Sequence, residues 1–255
     1  MNGRAGLQAG AVSTSRRGDG ILWVRIDHPP VNALAASVRA GLSRAATQAQ
    51  DSSVRVVVLT GNDHCFSAGG DIDELASITS DAEARTVHDE YLDVYRSWRA
   101  IRIPTIAAIR RYALGGALEL ALSCDLRYAE PDAFFAASGA KMGLVESAHS
   151  LPTVMHASAA AEMLFTAGRV SADEARDRGL VTRVVPDLEN DVLGVAEAIA
   201  AQPAEAIRAI KATMRVAETA GRGEAGEVAI GLWRNLRGAP AHQAAAAAFL
   251  ARRAD

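Results

Sequence analysis

Cysteine is nearly absent: only Cys65 and Cys124 occur among 255 residues. Neither belongs to a CxxC pair or has a histidine at zinc-like spacing, which argues against a disulfide framework or a metal site. Two reduced, buried thiols suit a cytoplasmic protein. The six histidines (28, 64, 88, 149, 156 and 242) form no H-x-x-x-H pair, so no metal ligand set is expected. No apolar run reaches the roughly 18–20 residues of a membrane span. Strong charge of either sign is also missing: 27 basic against 30 acidic residues leave a net charge of −3. Nothing there calls for nucleic acid or an anionic membrane as partner. Residues 1–20 are rich in Gly, Ala, Ser and Arg without the apolar core of a secretory signal, and are expected to form a disordered tail.

What is present is an alternation of strand and helix patterns. Residues 21–27, 54–60, 105–109, 124–129 and 181–185 read as strands. The β-branched run at 54–60 suits a strand buried on both faces. Residues 35–50, 87–100 and 117–123 read as helices, so the expected fold class is α/β. Ser171 and Glu174 form a capping box for a helix that stops at Gly179. After Pro186 the texture changes to alanine-rich helices at 191–201, 204–220 and 241–253. The reading is an α/β core over 21–190 and a helical part over 191–255. Thin alanine-rich helices bury little alone and need a partner surface.

Two glycine-bearing turns carry the chemistry. Gly115-Gly116-Ala117-Leu118-Glu119 joins the strand at 105–109 to an apolar helix. A glycine pair there leaves backbone N–H groups bare for an anion. Glu119, three residues after Gly116, shares its helical face. A bare donor and a carboxylate facing one space can do proton chemistry beside a carbonyl. The other turn, Phe66-Ser67-Ala68-Gly69-Gly70-Asp71, follows the strand at 54–60. Its small residues allow a ligand close to the backbone.

FSAGGDIDEL, then ALGGALELALSCDLRYA some 45 residues on, resembles the enoyl-CoA hydratase/isomerase (crotonase) superfamily. HPPVNAL at 28–34, AGRVSADEARDRGLVTRVVP at 167–186 and AFLARR at 248–253 resemble further stretches of that family. The resemblance implies a spiral of ββα units whose helical C-terminal part lies across a neighbouring subunit, in homotrimers or homohexamers. It implies an acyl-CoA substrate, with coenzyme A part of that substrate, no separate cofactor and no metal, and a place in fatty acid metabolism. It assigns the oxyanion-binding N–H groups to Gly70 and Gly116 and the water-activating carboxylate to Glu119. It points to Arg25, Ala33, Ala68, Asp71 and Ile72, besides the two glycines, for substrate and CoA binding.

One departure bears on mechanism. The family's second glutamate lies 20 residues after the first, which here is Gly139. Two-glutamate hydration is therefore expected to be slow, and Gly139→Glu to raise it if the surrounding loop fits the family geometry. Glu146 and His149, in a segment about three residues short, are the candidates to replace the missing acid. The alternatives are a non-catalytic acyl-CoA-binding protein, or a relative with other thioester chemistry (decarboxylase, dehalogenase or thioesterase type).

Overall fold

A computed structural model describes residues 10–252. The elements run β1 (Val12–Arg17), β2 (Ile21–Ile26), α1 (Ala36–Gln48), β3 (Val56–Thr60), α2 (Ile72–Ser77), α3 (Asp81–Arg99), β4 (Thr105–Ile109), β5 (Tyr112–Leu114), α4 (Gly116–Leu122), β6 (Leu126–Ala129) and β7 (Phe134–Ala136). They continue with α5 (Gly139–Met142), α6 (Leu151–Val154), α7 (Ala157–Thr166), β8 (Val170–Ser171), α8 (Ala172–Asp177), β9 (Arg183–Val184), α9 (Leu188–Ala200), α10 (Ala204–Thr219), α11 (Gly221–Arg237) and α12 (Pro240–Ala251).

The main sheet has the order β1-β2-β3-β4-β6-β9, parallel except for the β1–β2 hairpin. All five residues of β3 are buried, as its β-branched run predicts. Side chains alternate across the strand. Val57 and Leu59 join the large core under α1, α3 and α4. Val56 and Val58 face the other way, into a smaller core closed by Leu188, Val192 and Ala196 of α9. The α/β layers thus extend through α9, ten residues past the expected boundary at 190. Cys65 and Cys124 are buried free thiols.

The expected tail needs correcting. Residues 12–17 form β1, paired antiparallel with all of β2; residues 1–9 lie outside the described residues. Its sequence, VSTSRR, is polar because an edge strand wets one face, and the Gly18-Asp19-Gly20 link is a hairpin signal: both glycines have positive φ. Helix α3 starts six residues before the expected 87, at a capping box in which Ser80 accepts from the Glu83 N–H and Glu83 from the Ser80 N–H. Ser171 and Glu174 make the expected box at α8. Helix α11 was not legible. The helix expected to end at 253 is described to Ala251, and Arg253 lies outside the described residues.

A three-stranded sheet, β5-β7-β8, stands beside the main one and brings the two glycine turns together. After β3 and β4 the chain leaves the main sheet twice, and the two excursions run side by side. Ser67 donates its N–H to the Tyr112 carbonyl, and Leu114 donates back to Ser67, both at 3.2 Å. Gly115 is tied to β7 through the Ala136 carbonyl at 2.9 Å.

Candidate active site

Gly70 and Gly116 sit at the ends of these paired excursions. A Cβ placed on Gly116 would lie 3.7 Å from the Gly70 nitrogen, and one on Gly69 would lie 3.1 Å from the Gly116 nitrogen and 2.4 Å from the Leu114 carbonyl oxygen. Gly69, at φ +94°, is therefore glycine for both conformation and space. Neither the Gly70 N–H nor the Gly116 N–H donates a hydrogen bond among the described residues. Two unspent donors thus lie close together.

The segment at 28–34 holds this arrangement from below. Buried Asn32, at φ +53°, donates its side-chain amide to the carbonyls of Cys65 (2.9 Å) and Phe66 (3.1 Å). Ser67 Oγ donates to the Asn32 carbonyl at 2.6 Å and accepts from the Gly69 N–H at 3.1 Å. Ala68 donates to Val31, and Leu34 to Gly69. Arg39 is almost wholly buried: it donates to the Leu34 carbonyl at 2.8 Å, grips both oxygens of Glu74 and reaches Glu90. Burial opposes its charge, but the hydrogen bonds to the two glutamates outweigh that and raise its pKa above the arginine norm. Its guanidinium also stacks on the Tyr91 ring, whose hydroxyl accepts from the Asp71 N–H next to Gly70.

Glu119 lies in α4, every residue of which is buried. Its Oε1 accepts a 2.6 Å hydrogen bond from Ser150 Oγ and has Arg99 Nη2 and His149 Nε2 each 3.6 Å away. Oε2 is buried and accepts nothing among the described residues. One oxygen is anchored and the other is available.

Glu146 is the second carboxyl of the site. A Cβ on Gly115 would lie 3.0 Å from its Oε2 and 3.4 Å from its Oε1, so it rests on the Gly115–Gly116 turn. Its Oε2 is also buried and unpartnered among the described residues, as is the hydroxyl of the neighbouring Ser147. Desolvation first, and then the charge of Glu119, push the Glu146 pKa up. Position 139 explains its entry. A Cβ there would stand 3.2 Å from the Glu146 Cβ, 3.0 Å from its nitrogen and 2.7 Å from the Leu144 carbonyl oxygen. The 144–146 backbone covers Gly139, and the Glu146 side chain begins where a 139 side chain would. The condition set for Gly139→Glu, a loop that fits the family geometry, is not met, because that side chain would collide with backbone.

The other candidates spread around this centre. His149 is largely exposed and stands beside the anchored oxygen of Glu119. Asp71 caps α2, accepting from the N–H groups of Asp73 and Glu74, and Ile72 is exposed after it. Ala33 and Ala68 are half-buried at the loop contact. Arg25, on β2, is paired with Asp63 at 3.1 Å. Sequence reading missed Ser150, Arg99, Arg39, Tyr91 and Tyr95. A usable signal was present: two of the chain's four tyrosines lie four apart in α3, on the face that carries Trp98 and Val94 inward.

The layered parallel sheet, its small companion sheet and the two facing glycine turns define a crotonase fold. A family model described as enoyl-CoA hydratase/isomerase matches residues 16–254, and the chain belongs to that family. A probable enoyl-CoA hydratase of Mycobacterium bovis, echA12, is 37% identical over 196 residues, covering 72% of this chain and 68% of its own length. A probable enoyl-CoA hydratase of Bacillus subtilis is 33% identical, with 71% of each chain covered. Among solved structures, an enoyl-CoA hydratase from Mycobacterium smegmatis superposes with a TM-score of 0.91 at 30% identity, covering 96% of this chain and 97% of that one. Pseudomonas aeruginosa DspI gives 0.90 at 28% identity, with 95% and 94% covered.

Proposed function

We propose that the protein is an acyl-CoA enzyme of the enoyl-CoA hydratase type, in which Glu146 supplies the acid that position 139 does not. The observation that carries this reading is the meeting of two unspent N–H groups with two carboxyls, each keeping one buried, unpartnered oxygen. The names of the relatives support the substrate class. Coenzyme A is part of that substrate and no further cofactor enters. The acting unit in this reading is a homotrimer or homohexamer.

The thioester oxygen accepts from Gly70 and Gly116. Water bonds to the β-carbon as the free Oε2 of Glu119 takes its proton, and the electron pair moves through the enoyl system onto the thioester oxygen. One preorganised donor at such an enolate is worth about 3–4 kcal/mol. Glu146 then gives its proton to the α-carbon as the pair returns, leaving a 3-hydroxyacyl thioester. The cycle closes when the proton on Glu119 is lost and Glu146 regains one from solvent. Ser150 suits this scheme, because its hydrogen bond ties down one oxygen of the base and turns the other to the substrate.

The raised Glu146 pKa has a definite sign. The carboxyl keeps its proton to higher pH than a free glutamate, so the acid is present below its shifted pKa and lost as pH rises through it. Hydration of crotonyl-CoA, followed as loss of enoyl-thioester absorbance, should run at ordinary enzyme rates and fall on the alkaline side. Glu119→Gln and Glu146→Gln should each cost about 10²–10⁴-fold in kcat, and Glu146→Gln should flatten the alkaline limb. Tight binding of crotonyl-CoA without turnover would sink the hydratase reading in favour of a binding protein. Full activity in Glu146→Gln would remove that residue from the mechanism.

A further inference from the structure

Glycine at 116 leaves a small space that the oxyanion reading does not account for. A Cβ there would meet the Tyr95 hydroxyl at 2.7 Å, Leu34 Cδ1 at 3.6 Å and the Gly70 nitrogen at 3.7 Å. The Tyr95 hydroxyl therefore stands on the same side of Gly116 as the second backbone donor. The Tyr95 side chain is partly buried, and its hydroxyl makes no hydrogen bond among the described residues. It is not spent on Glu119 or Glu146, although both carboxyls act on it electrostatically. Its neighbour Tyr91 is occupied, accepting the Asp71 N–H at 3.2 Å. The two tyrosines of α3 have thus divided their work, one fixing the loop at Gly70 and the other holding a free O–H beside Gly116.

We propose that Tyr95 is a third donor to the thioester oxygen, placed with Gly70 and Gly116 around one point and strengthening its hydrogen bond as that oxygen gains charge. This rests on the oxyanion reading of the two glycines. The phenol keeps its proton throughout: burial, then the charges of Tyr91, Glu119 and Glu146, push its pKa well above the ordinary tyrosine value. It acts by donating a hydrogen bond and transfers no proton. Position 116 is then glycine for a second reason, since any β-carbon would displace the hydroxyl.

A 3-oxoacyl thioester separates this role from pocket shape, because its enolate has a near-ultraviolet band and its neutral form does not. Acetoacetyl-CoA is titrated against wild type and Tyr95→Phe across pH, with butyryl-CoA, which forms no enolate under these conditions, as the reference ligand. Wild type should lower the apparent pKa of bound acetoacetyl-CoA. Tyr95→Phe should lose about tenfold or more in enolate affinity, while butyryl-CoA affinity changes by about fivefold at most, the typical size of a neutral hydrogen bond. Equal losses for both ligands, or no loss for the enolate, overturn the proposal and leave the glycine reading standing. A wild type that binds butyryl-CoA but never shows the enolate band overturns the glycine reading and this proposal together. Should Tyr95→Phe not fold, site-specific fluorination of the Tyr95 ring keeps the hydroxyl and makes it more acidic. Enolate affinity must then shift relative to butyryl-CoA, and an unchanged ratio defeats the idea.

Discussion

A β-carbon at position 139 would press on the Leu144 carbonyl and on both the nitrogen and the Cβ of Glu146, so the glycine there and the glutamate seven residues later are two parts of one device. The loop folds over Gly139 because nothing projects from it, and that fold delivers Glu146 to the Gly115–Gly116 turn. Overpacking a close-packed site costs about 1–3 kcal/mol. Gly139→Ala should therefore lower stability by about that amount and reduce kcat more than affinity, by moving Glu146 off the turn. Gly139→Glu should be worse on both counts. Thermal unfolding and steady-state kinetics on the two variants check this, and a Gly139→Glu chain that gained hydration activity would contradict it.

Arg39 joins three elements: it sits in α1, grips Glu74 of α2 and Glu90 of α3, and holds the Leu34 carbonyl at the loop that supports Gly69. Losing the guanidinium strands two carboxylates and a carbonyl. The full cost of breaking a buried pair is about 3–5 kcal/mol, and Glu90 is half exposed, so about 3 kcal/mol is the expected loss for Arg39→Met. Because the α2 segment carries Asp71 beside Gly70, acyl-CoA affinity should fall as well. Denaturant unfolding and ligand titration test the two effects separately, and a stability loss with affinity untouched would limit Arg39 to the fold. Networks of this kind explain what was legible beforehand. The strands at β3 and β4 and the glycine pair before Glu119 are local patterns, readable from periodicity and from residues that tolerate close backbone approach. Glu146 could be named as a candidate from where its segment falls in the family resemblance, but its contact with Gly115 depends on the 144–146 turn. Arg39 and Ser150 reach Glu74 and Glu119 across 30 or more residues of sequence, and no period marks them; Tyr95 was marked only by its helical spacing from Tyr91. Helix α11 was hidden because Gly221, Gly223, Gly226 and Gly231 lower helix propensity over its length; packing on α10 overrides that weak propensity.

The C-terminal helices bury little within one chain. Lys211 of α10 anchors them: its ammonium is buried, 2.6 Å from Asp125 Oδ2 and 2.7 Å from the Ile103 carbonyl, and the same carboxylate accepts from Thr105. Beyond that anchor, Ile210, Met214, Ile230 and Trp233 are all about half exposed or more. Helices α10, α11 and α12 border a groove of about 270 Å³ lined by Trp233, Leu236 and Ala245 among others. Leu144, Val145 and Phe165 are also exposed, on the part of the chain that carries Glu146. In the proposed homotrimer or homohexamer a neighbouring subunit would cover these side chains. Light scattering at micromolar concentration should therefore give the mass of a trimer or hexamer. Trp233→Glu should shift that mass toward the monomer, since an interface tryptophan typically carries about 2 kcal/mol or more and a buried unpaired carboxylate adds its own cost. Circular dichroism should show the helices retained. A wild-type chain that scatters as a monomer would leave these side chains without a protein partner of their own kind. A Trp233→Glu chain that stayed trimeric would move the interface off this face of α11.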